Sequence, residues 1–252
     1  MNEALTAIVL ADLSYNSPEY VRKAYDLAVS GQSDPSIYPP HIEALVGLSA
    51  APVFLCESAC GAKAYVLHFE KSGKLFVVFQ GTHSLKNIET DLELALVQFD
   101  PLFKKCRVHD GFRQSFLALR NLIEAEIAKF PSAEIVFAGH SLGSGCATLA
   151  ALWFAKAGRK VSYYGAGTPR VGDRRFKAVF NALVPRSIRF KYGRDIINTV
   201  PAWPYYRHVN REYHLGPKDY SLNYTFLSSV KCHHVRNYVS ALLLEAKSNK
   251  EL

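Results

Sequence analysis

A serine lies between two glycines in the segment Gly139-His-Ser-Leu-Gly143, near the middle of the chain. Residues 135–138 before it form an apolar run typical of a buried strand, and residues 142–157 after it predict a helix rich in small side chains. Ser141 therefore falls where a strand ends and a helix begins. A Cβ at either glycine of such a sharp turn would collide with its neighbours, and the serine is forced into a strained, exposed position.

This position suits a nucleophile in acyl transfer, because the N-terminus of the following helix stabilises negative charge that develops beside Ser141. The segment also fits a glycine-rich turn with a capping serine. The acyl-transfer hypothesis therefore requires an acid, a base and a second oxyanion donor elsewhere in the chain.

The candidate acid is Asp195, which follows the predicted strand Ser187–Tyr192. A carboxylate just past a parallel strand lies at the same edge of the sheet as Ser141, where it can hold a histidine and stabilise the imidazolium. Asp173 and Asp219 are rivals. The pattern around Asp173 indicates a helix N-cap, and Asp219 lies in a loop that no strand precedes.

The base is expected after the acid, because folds with a nucleophilic serine at such a strand-to-helix turn have the chain order Ser, Asp, His. Four of the nine histidines follow Asp195. His208 and His214 lie in an aromatic, irregular segment and are interpreted as packing or surface residues. His233 and His234 stand directly before the predicted terminal helix 235–244, and both remain candidates on this reasoning. The earlier histidines that we interpret as structural or supporting residues are His68, His83, His109 and His140.

The candidate second oxyanion donor is the main-chain N–H of Thr82. This residue lies in the loop 80–84, after the predicted strand Lys74–Phe79 and before a predicted helix over residues 85–97. The same residues also fit a helix N-cap, and the two interpretations are compatible because both place free N–H groups at a helix start.

The remaining elements must bring these residues to one edge of a sheet. The sequence predicts two helices within residues 1–30 and a loop over residues 31–40, followed by a hairpin of Ala62–Phe69 with Lys74–Phe79. Further predicted elements are a helix over 111–130, a strand over 160–165 and a helix over 174–183. Strands that alternate with helices of this length indicate an α/β fold whose mostly parallel central sheet is covered by helices on both faces. We expect one domain over residues 1–252.

Composition supports a folded α/β protein, since 49% of the 252 residues are hydrophobic and can form a large core. The five cysteines lack the paired spacing of a zinc site, and no metal or other cofactor is expected. They are interpreted as mostly buried thiols in a reducing compartment, with a Cys56–Cys60 bridge as an alternative.

The first residues lack the basic start of a signal peptide, and no apolar run is long enough to cross a membrane. The localisation stays open between the cytoplasm and export by a signal-independent route.

Several ordered motifs together resemble the class 3 lipases, the family of the fungal triacylglycerol lipases. They are Val77-Val-Phe-Gln-Gly-Thr82, Asn87-Ile-Glu-Thr-Asp91-Leu92, Val108-His-Asp-Gly-Phe112, Gly139-His-Ser-Leu-Gly143, Gly167-Thr-Pro-Arg-Val-Gly172, Asp195-Ile-Ile-Asn-Thr-Val-Pro201 and His233-His-Val-Arg-Asn-Tyr238. The resemblance implies an α/β-hydrolase fold with Ser141 as nucleophile, Asp195 as acid and His233 as base. It also implies an oxyanion hole formed by the N–H groups of Thr82 and Leu142. His233 is selected over His234 because family members have a tyrosine five positions after the base.

Two features depart from the family pattern. Gln80 stands where arginine is common, and no long insertion that would form an elaborate lid separates Thr82 from Phe112. The second departure puts interfacial activation in doubt.

The resemblance implies a serine carboxylic-ester hydrolase that acts on lipid esters, with acylglycerols as the expected substrates. Alternatives with the same triad are a phospholipase A1, a thioesterase or an acyltransferase. Residues 200–206 are a candidate acyl pocket or simply a packed loop.

A non-catalytic alternative is a basic membrane- or nucleic-acid-binding module, since the net charge is +8. Its footprint would be Arg170, Arg174, Arg175, Lys177, Arg186, Arg189, Lys191 and Arg194. No nucleic-acid-binding motif accompanies them, so we expect a lipid ester substrate, contact with a lipid interface and no nucleic acid.

Overall fold

The computed structural model of the chain describes residues 1–58, 61–82, 95–201, 204–217 and 226–248. Its helices are α1 (Glu3–Leu13), α2 (Pro18–Ser30), α3 (Pro39–Leu45), α4 (Asp110–Ala128), α5 (Leu142–Lys156), α6 (Arg174–Leu183), α7 (Phe226–Cys232) and α8 (Val235–Lys247). Its strands are β1 (Val53–Glu57), β2 (Ala62–Phe69), β3 (Lys74–Phe79), β4 (Leu96–Gln98), β5 (Arg107–His109), β6 (Glu134–His140), β7 (Val161–Ala166), β8 (Ser187–Tyr192) and β9 (Arg211–Leu215). In the described part of the chain, no helix combines the length and the apolar character needed to cross a membrane.

Seven strands form one mixed sheet in the order β1-β2-β3-β6-β7-β8-β9. The strands β3, β6, β7, β8 and β9 are parallel, and β1 and β2 extend the sheet as antiparallel neighbours. Because β6, β7 and β8 are parallel and the helices α5 and α6 return the chain between them, the carboxyl ends of these strands lie at one edge of the sheet. Ser141 follows β6 and Asp195 follows β8, so both lie at that edge.

Helices cover both faces of the sheet, and the alternation within β3 shows how. Leu75, Val77 and Phe79 pack with apolar residues of α4, α5 and α6. Phe76 and Val78 point the other way and pack with α1, α2, α3 and α8. Successive side chains of a strand point to opposite faces, so a strand that is buried on both sides reads as a continuous apolar run. The predicted α/β architecture with two covered faces is confirmed.

Capping residues explain several helix boundaries. Ser17 caps α2 directly before Pro18, and the carboxylate of Asp173 accepts hydrogen bonds from the N–H groups of Arg175 and Phe176 at the start of α6. Asp173 was interpreted as an N-cap from the sequence, and this interpretation is confirmed.

One sequence prediction about local structure is wrong, and a second is wrong at its C-terminal end. Residues 31–40 were expected to be a loop, but Pro39 and Pro40 begin α3, which is the helix position that proline tolerates. A helix was expected over residues 85–97. Residues 85–94 lie outside the described part of the chain, and at the end of the segment Leu96 and Val97 belong to β4, which pairs with β5. Short apolar runs fit a helix or a strand equally well, and pairing with β5 decides the outcome here.

The four described cysteines form no disulfide bond with one another. Cys106, Cys146 and Cys232 are buried as expected, but Cys56 is exposed on β1. The alternative Cys56–Cys60 bridge involves a residue outside the described part of the chain.

Candidate functional site

Ser141 occupies a strained turn between β6 and α5. Its backbone has φ 57° and ψ −130°, so the expected strain is present. The expected exposure is wrong, because Ser141 is only 1% exposed. A Cβ on Gly139 would lie 2.4 Å from the carbonyl carbon of Gly143, and a Cβ on Gly143 would lie 2.3 Å from the main-chain oxygen of Phe79. Any larger residue at either position would therefore separate the strand from the helix. The steric reason expected for the two glycines is present.

His233 and Asp195 form a buried pair behind this turn. Nδ1 of His233 donates a hydrogen bond of 2.8 Å to Oδ2 of Asp195, and both side chains are at most 1% exposed. Asp195 also accepts from the hydroxyl of Tyr238 and, through Oδ1, from the N–H of Ile197 at 2.8 Å. These donors fix the orientation of the carboxylate and thereby one tautomer of the imidazole.

The two atoms that would exchange a proton have unused hydrogen-bonding capacity. Oγ of Ser141 and Nε2 of His233 are buried, and within the described residues neither has a hydrogen-bond partner. Leaving a buried polar group unpaired costs roughly 1 to 3 kcal/mol, so each such group requires an explanation, and a role in proton transfer supplies one here. Gly167 lies against the imidazole, because a Cβ there would be 2.8 Å from Nδ1 of His233.

The candidate oxyanion hole lies where the loop after β3 touches the start of α5. A Cβ on Gly143 would lie 2.9 Å from the main-chain nitrogen of Gly81, so the loop and the turn are in close contact. Thr82 and Leu142 line the same small cavity of about 80 Å³. Thr82 also lines a second cleft of about 400 Å³ together with His233. The sequence-predicted donors are thus close to the serine and to the histidine.

The rival acids do not share this arrangement. Asp173 is occupied as the N-cap of α6, and Asp219 lies outside the described residues. Within the residues that the structure describes, no group of three or more histidine, cysteine, aspartate or glutamate side chains is arranged to hold a metal ion.

The other histidines take different positions. His234 is exposed, whereas Nε2 of His208 lies 2.6 Å from the main-chain oxygen of Asn198. Burial and the nearby charge of Arg189 lower the pKa of His208 to about 3. His109 caps α4, and His68 stacks on Phe130. His83 lies outside the described residues.

Sequence reasoning missed two contacts around the site. The hydroxyl of Tyr238 binds Asp195, which gives a physical reason for the five-residue spacing that selected His233. Tyr15 contacts His140, the residue before Ser141, from a position 125 residues away in the chain. The motif signalled the first tyrosine, but no local pattern marks the second.

Comparison with known proteins adds the family. The family model described as Lipase (class 3) matches residues 76–205, which is just over half of the chain. This chain belongs to the class 3 lipase family. The matched region includes most of β3, the loop with Thr82, Ser141 and Asp195, and it ends before His233.

Individual class 3 lipases cover more of the chain. A secreted mono- and diacylglycerol lipase from Fusarium solani is 30% identical over 65% of this chain and 51% of its own length. A Rhizomucor miehei lipase propeptide complex superimposes with a TM-score of 0.68 at 23% identity, over 86% of this chain and 67% of that one. A structure described as a triacylglycerol lipase with a serine protease triad as its catalytic centre gives 0.63 at 23% identity, over 82% and 80%. These structural matches establish the α/β-hydrolase fold. The chain spans only 37% to 58% of the length of five relatives matched by sequence.

Proposed function

We propose that this chain is a serine carboxylic-ester hydrolase with Ser141 as nucleophile, His233 as base and Asp195 as acid. The observation that carries the proposal is the pair of buried atoms without hydrogen-bond partners within the described residues, Oγ of Ser141 and Nε2 of His233, beside the fixed contact between His233 and Asp195. The N–H groups of Thr82 and Leu142 are the proposed oxyanion donors. All residues from 1 to 252 are proposed to form one domain.

The proposed reaction proceeds in two acyl transfers. Nε2 of His233 accepts the proton of Ser141 while Oγ attacks the ester carbonyl carbon, and the carbonyl oxygen becomes an oxyanion held by two main-chain N–H groups. The carbon–oxygen bond to the alcohol then breaks as His233 returns the proton to the departing oxygen. Water attacks the acyl-serine by the same route in reverse, which releases the carboxylic acid and restores Ser141.

The proposed substrates are lipid esters, and acylglycerols are the first choice because the named relatives include mono- and diacylglycerol lipases and a triacylglycerol lipase. A phospholipase A1, a thioesterase or an acyltransferase would use the same three residues. The acyl pocket suggested for residues 200–206 remains a proposal. Pro201 and Tyr206 in this segment are buried, Tyr205 is 63% exposed, and residues 202–203 lie outside the described part.

Covalent labelling with a fluorophosphonate tests the reaction type. The wild-type chain should be labelled at Ser141, as located by peptide mass spectrometry, and Ser141→Ala should not be labelled. Hydrolysis of p-nitrophenyl esters, monoacyl-, diacyl- and triacylglycerols and phosphatidylcholine then distinguishes the substrate classes. An unlabelled wild-type protein that hydrolyses none of these would refute the proposed function.

We also propose contact with an anionic lipid interface, but not through the whole basic set expected from the sequence. Arg186 pairs with Glu134, the first residue of β6, and therefore lies at the edge of the sheet opposite Ser141. Arg189 is 4% exposed and donates to the main-chain oxygen of Val209. Arg186 and Arg189 therefore do not share one basic surface beside Ser141 with the rest of this set.

A smaller basic surface remains. Lys105, Arg107, Arg174 and Arg175 line one depression of about 580 Å³, together with Gln98 and the capping carboxylate of Asp173. Cationic side chains near an anionic membrane contribute roughly 1 kcal/mol each, and salt screens this attraction.

Activity on phosphatidylglycerol-containing vesicles should fall as salt rises, while activity on phosphatidylcholine vesicles and on a soluble short ester changes little. Replacing Arg174 and Arg175 together by Gln should weaken binding to the anionic vesicles alone. Equal salt responses on all three substrates would contradict the interface proposal.

A further inference from the structure

Hydrogen bonds join three residues that are distant in the chain, beside the proposed triad. The hydroxyl of Tyr15 lies 2.8 Å from Nδ1 of His140, and Nε2 of His140 lies 2.7 Å from the main-chain carbonyl oxygen of His233. A carbonyl oxygen can only accept, so Nε2 of His140 carries the proton and Nδ1 accepts from the Tyr15 hydroxyl. The two contacts together select one tautomer of His140.

Both partners of this tyrosine–histidine contact keep their protonation state. Burial and the adjacent His233, with a smaller effect of His234, lower the pKa of His140 well below its usual range. Burial and the nearby Asp12 raise the pKa of Tyr15 well above its usual range. Tyr15 therefore remains a donor and His140 a neutral acceptor across the working range of an ester hydrolase.

His140 is packed directly on the proposed base. The ring centroids of His140 and His233 are 4.4 Å apart, and the ring of Tyr238 lies 5.9 Å from His140 on another side. His140 is only 5% exposed. A change in the orientation of its ring would therefore be transmitted to His233 through the main-chain hydrogen bond and through ring packing.

The Tyr15 hydroxyl also lies against the loop after β3, which carries the proposed oxyanion donor Thr82. A Cβ on Gly81 would be 2.1 Å from this oxygen and 2.7 Å from the main-chain oxygen of His140. The backbone of Gly81, which precedes Thr82, therefore lies between Tyr15 and the end of β6. Tyr15, Thr82, His140 and His233 line one cleft of about 400 Å³.

We infer that Tyr15 is a positioning residue for the proposed base: its hydroxyl holds His140 in the tautomer whose N–H anchors the main chain of His233. The inference rests on the proposed role of His233. Tyr15 acts through His140 and requires no contact with the substrate. The residue comes from the turn after α1, so the N-terminal helical layer contributes directly to the geometry of the site.

The chain offers a matched control. The hydroxyl of Tyr20 lies 3.1 Å from Nδ1 of His41, and the ring centroids of this pair are 5.7 Å apart, the same separation as for Tyr15 and His140. Tyr20→Phe and Tyr15→Phe therefore each remove a tyrosine–histidine hydrogen bond, and Tyr20→Phe also removes the bond that the Tyr20 hydroxyl accepts from the N–H of Tyr38. Only the second bond leads to His233.

Tyr15→Phe should lower kcat on a p-nitrophenyl ester about tenfold, the effect of one lost buried hydrogen bond, with KM changed less than about twofold. Tyr20→Phe should leave kcat within about twofold of wild type and lower thermal stability at least as much as Tyr15→Phe, because the N–H of Tyr38 also loses its acceptor. Equal kcat values for the two variants would overturn the inference.

A double-mutant cycle tests whether Tyr15 acts through His140. In a His140→Leu background, Tyr15→Phe should have no further effect on kcat, whereas a second tenfold loss would overturn the inference. If His140→Leu does not fold, His140→Gln replaces it with the opposite expectation, because its amide can donate to the main chain of His233 and accept from Tyr15. Tyr15→Phe should then again lower kcat about tenfold. Equal activity of His140→Gln with and without the Tyr15 hydroxyl would overturn the inference.

A spectroscopic measurement separates this inference from the proposed function. In protein with ¹⁵N-labelled histidine, the His140 resonances, assigned by their loss in His140→Gln, should show the Nε2–H tautomer without titration from pH 5 to 8. Tyr15→Phe should shift them toward a mixture of tautomers. Unchanged resonances in Tyr15→Phe would overturn the inference even if the protein hydrolyses esters. Failure to hydrolyse any ester would refute the proposed function and leave the tautomer result valid.

Discussion

Two histidine–aspartate pairs in this chain have the same contact distance and different surroundings. His233 meets Asp195 through Nδ1 at 2.8 Å, and His41 meets Asp12 through Nε2 at 2.8 Å. All four side chains are buried. Neither distance nor burial distinguishes the proposed catalytic pair from the other one.

The difference lies in what the second ring nitrogen does. Nδ1 of His41 accepts from the Tyr20 hydroxyl, and Asp12 also forms an ion pair with Arg236, so this pair is fully bonded and links α1, α3 and α8. Nε2 of His233 has no partner among the described residues, and the ring of His233 packs on His140, the residue before Ser141. The comparison teaches that a reactive pair is recognised by the hydrogen bond it leaves unmade, because only that atom can accept a proton from a nucleophile.

The largest expected effect is at the serine. Ser141→Ala should lower kcat/KM on a p-nitrophenyl ester by about a thousandfold or more, because members of a triad act as a unit. Circular dichroism should show an unchanged fold, since alanine meets the same backbone strain as serine. A folded variant that keeps more than a tenth of the wild-type activity would remove the distinction between the two pairs.

Replacing the histidines tests the comparison directly. His233→Ala should lose as much activity as Ser141→Ala, whereas His41→Ala should keep kcat within about threefold and lower the free energy of unfolding by about 2 kcal/mol. His234→Ala should also keep most of the activity. If His234→Ala is inactive and His233→Ala is active, the base lies one residue further along the chain.

Two glycines give a smaller effect. Gly167 and Gly158 both have positive φ, +56° and +82°, so alanine should cost roughly 1 kcal/mol of stability at each. A Cβ on Gly167 would lie 2.8 Å from Nδ1 of His233 and 2.9 Å from Oδ2 of Asp195, whereas a Cβ on Gly158 meets no atom within 4 Å. Gly167→Ala should therefore lower kcat about tenfold or more, and Gly158→Ala should not. Equal kcat values would show that the imidazole tolerates displacement.

The last prediction concerns a third histidine and appears in stability, with no change expected in activity. Burial and then the charge of Arg189 lower the pKa of His208 to about 3, whereas an unfolded histidine titrates near 6.5. Between these values the unfolded chain binds one more proton. Stability therefore falls as pH falls through this window, by at most about 1.4 kcal/mol per pH unit for one group.

His208→Gln should make this decline shallower. Urea unfolding at pH 4, 5 and 6 measures the slope. An unchanged slope would mean that other groups cause the loss.

The site residues that follow a strand could be predicted from the sequence. Ser141 directly follows β6 and Asp195 lies just past the end of β8, and the order of strands places both at one edge. The choice between His233 and His234 needed the family spacing, for which the contact of Tyr238 with Asp195 supplies the reason.

Contacts between distant segments could not be predicted. Tyr15 is an ordinary aromatic residue after a helix, and only the packing of α1 beside β6 brings it to His140. The basic residues illustrate the same limit, because charge alone does not reveal that Arg189 is buried and Arg186 is paired. In the segment before β5, strand pairing overrode a helical pattern that was locally acceptable.

His233 lies far beyond Ser141 in the order of the chain, and this order determines when the site can form during synthesis. Ser141 leaves the ribosome about ninety residues before His233, which at typical elongation rates is roughly 5 to 20 seconds earlier. During that interval the nascent chain can form β6 and the turn at Ser141, but the proposed base is still missing. Hydrolysis would therefore begin only after His233 has emerged and docked, long after the nucleophile has been made.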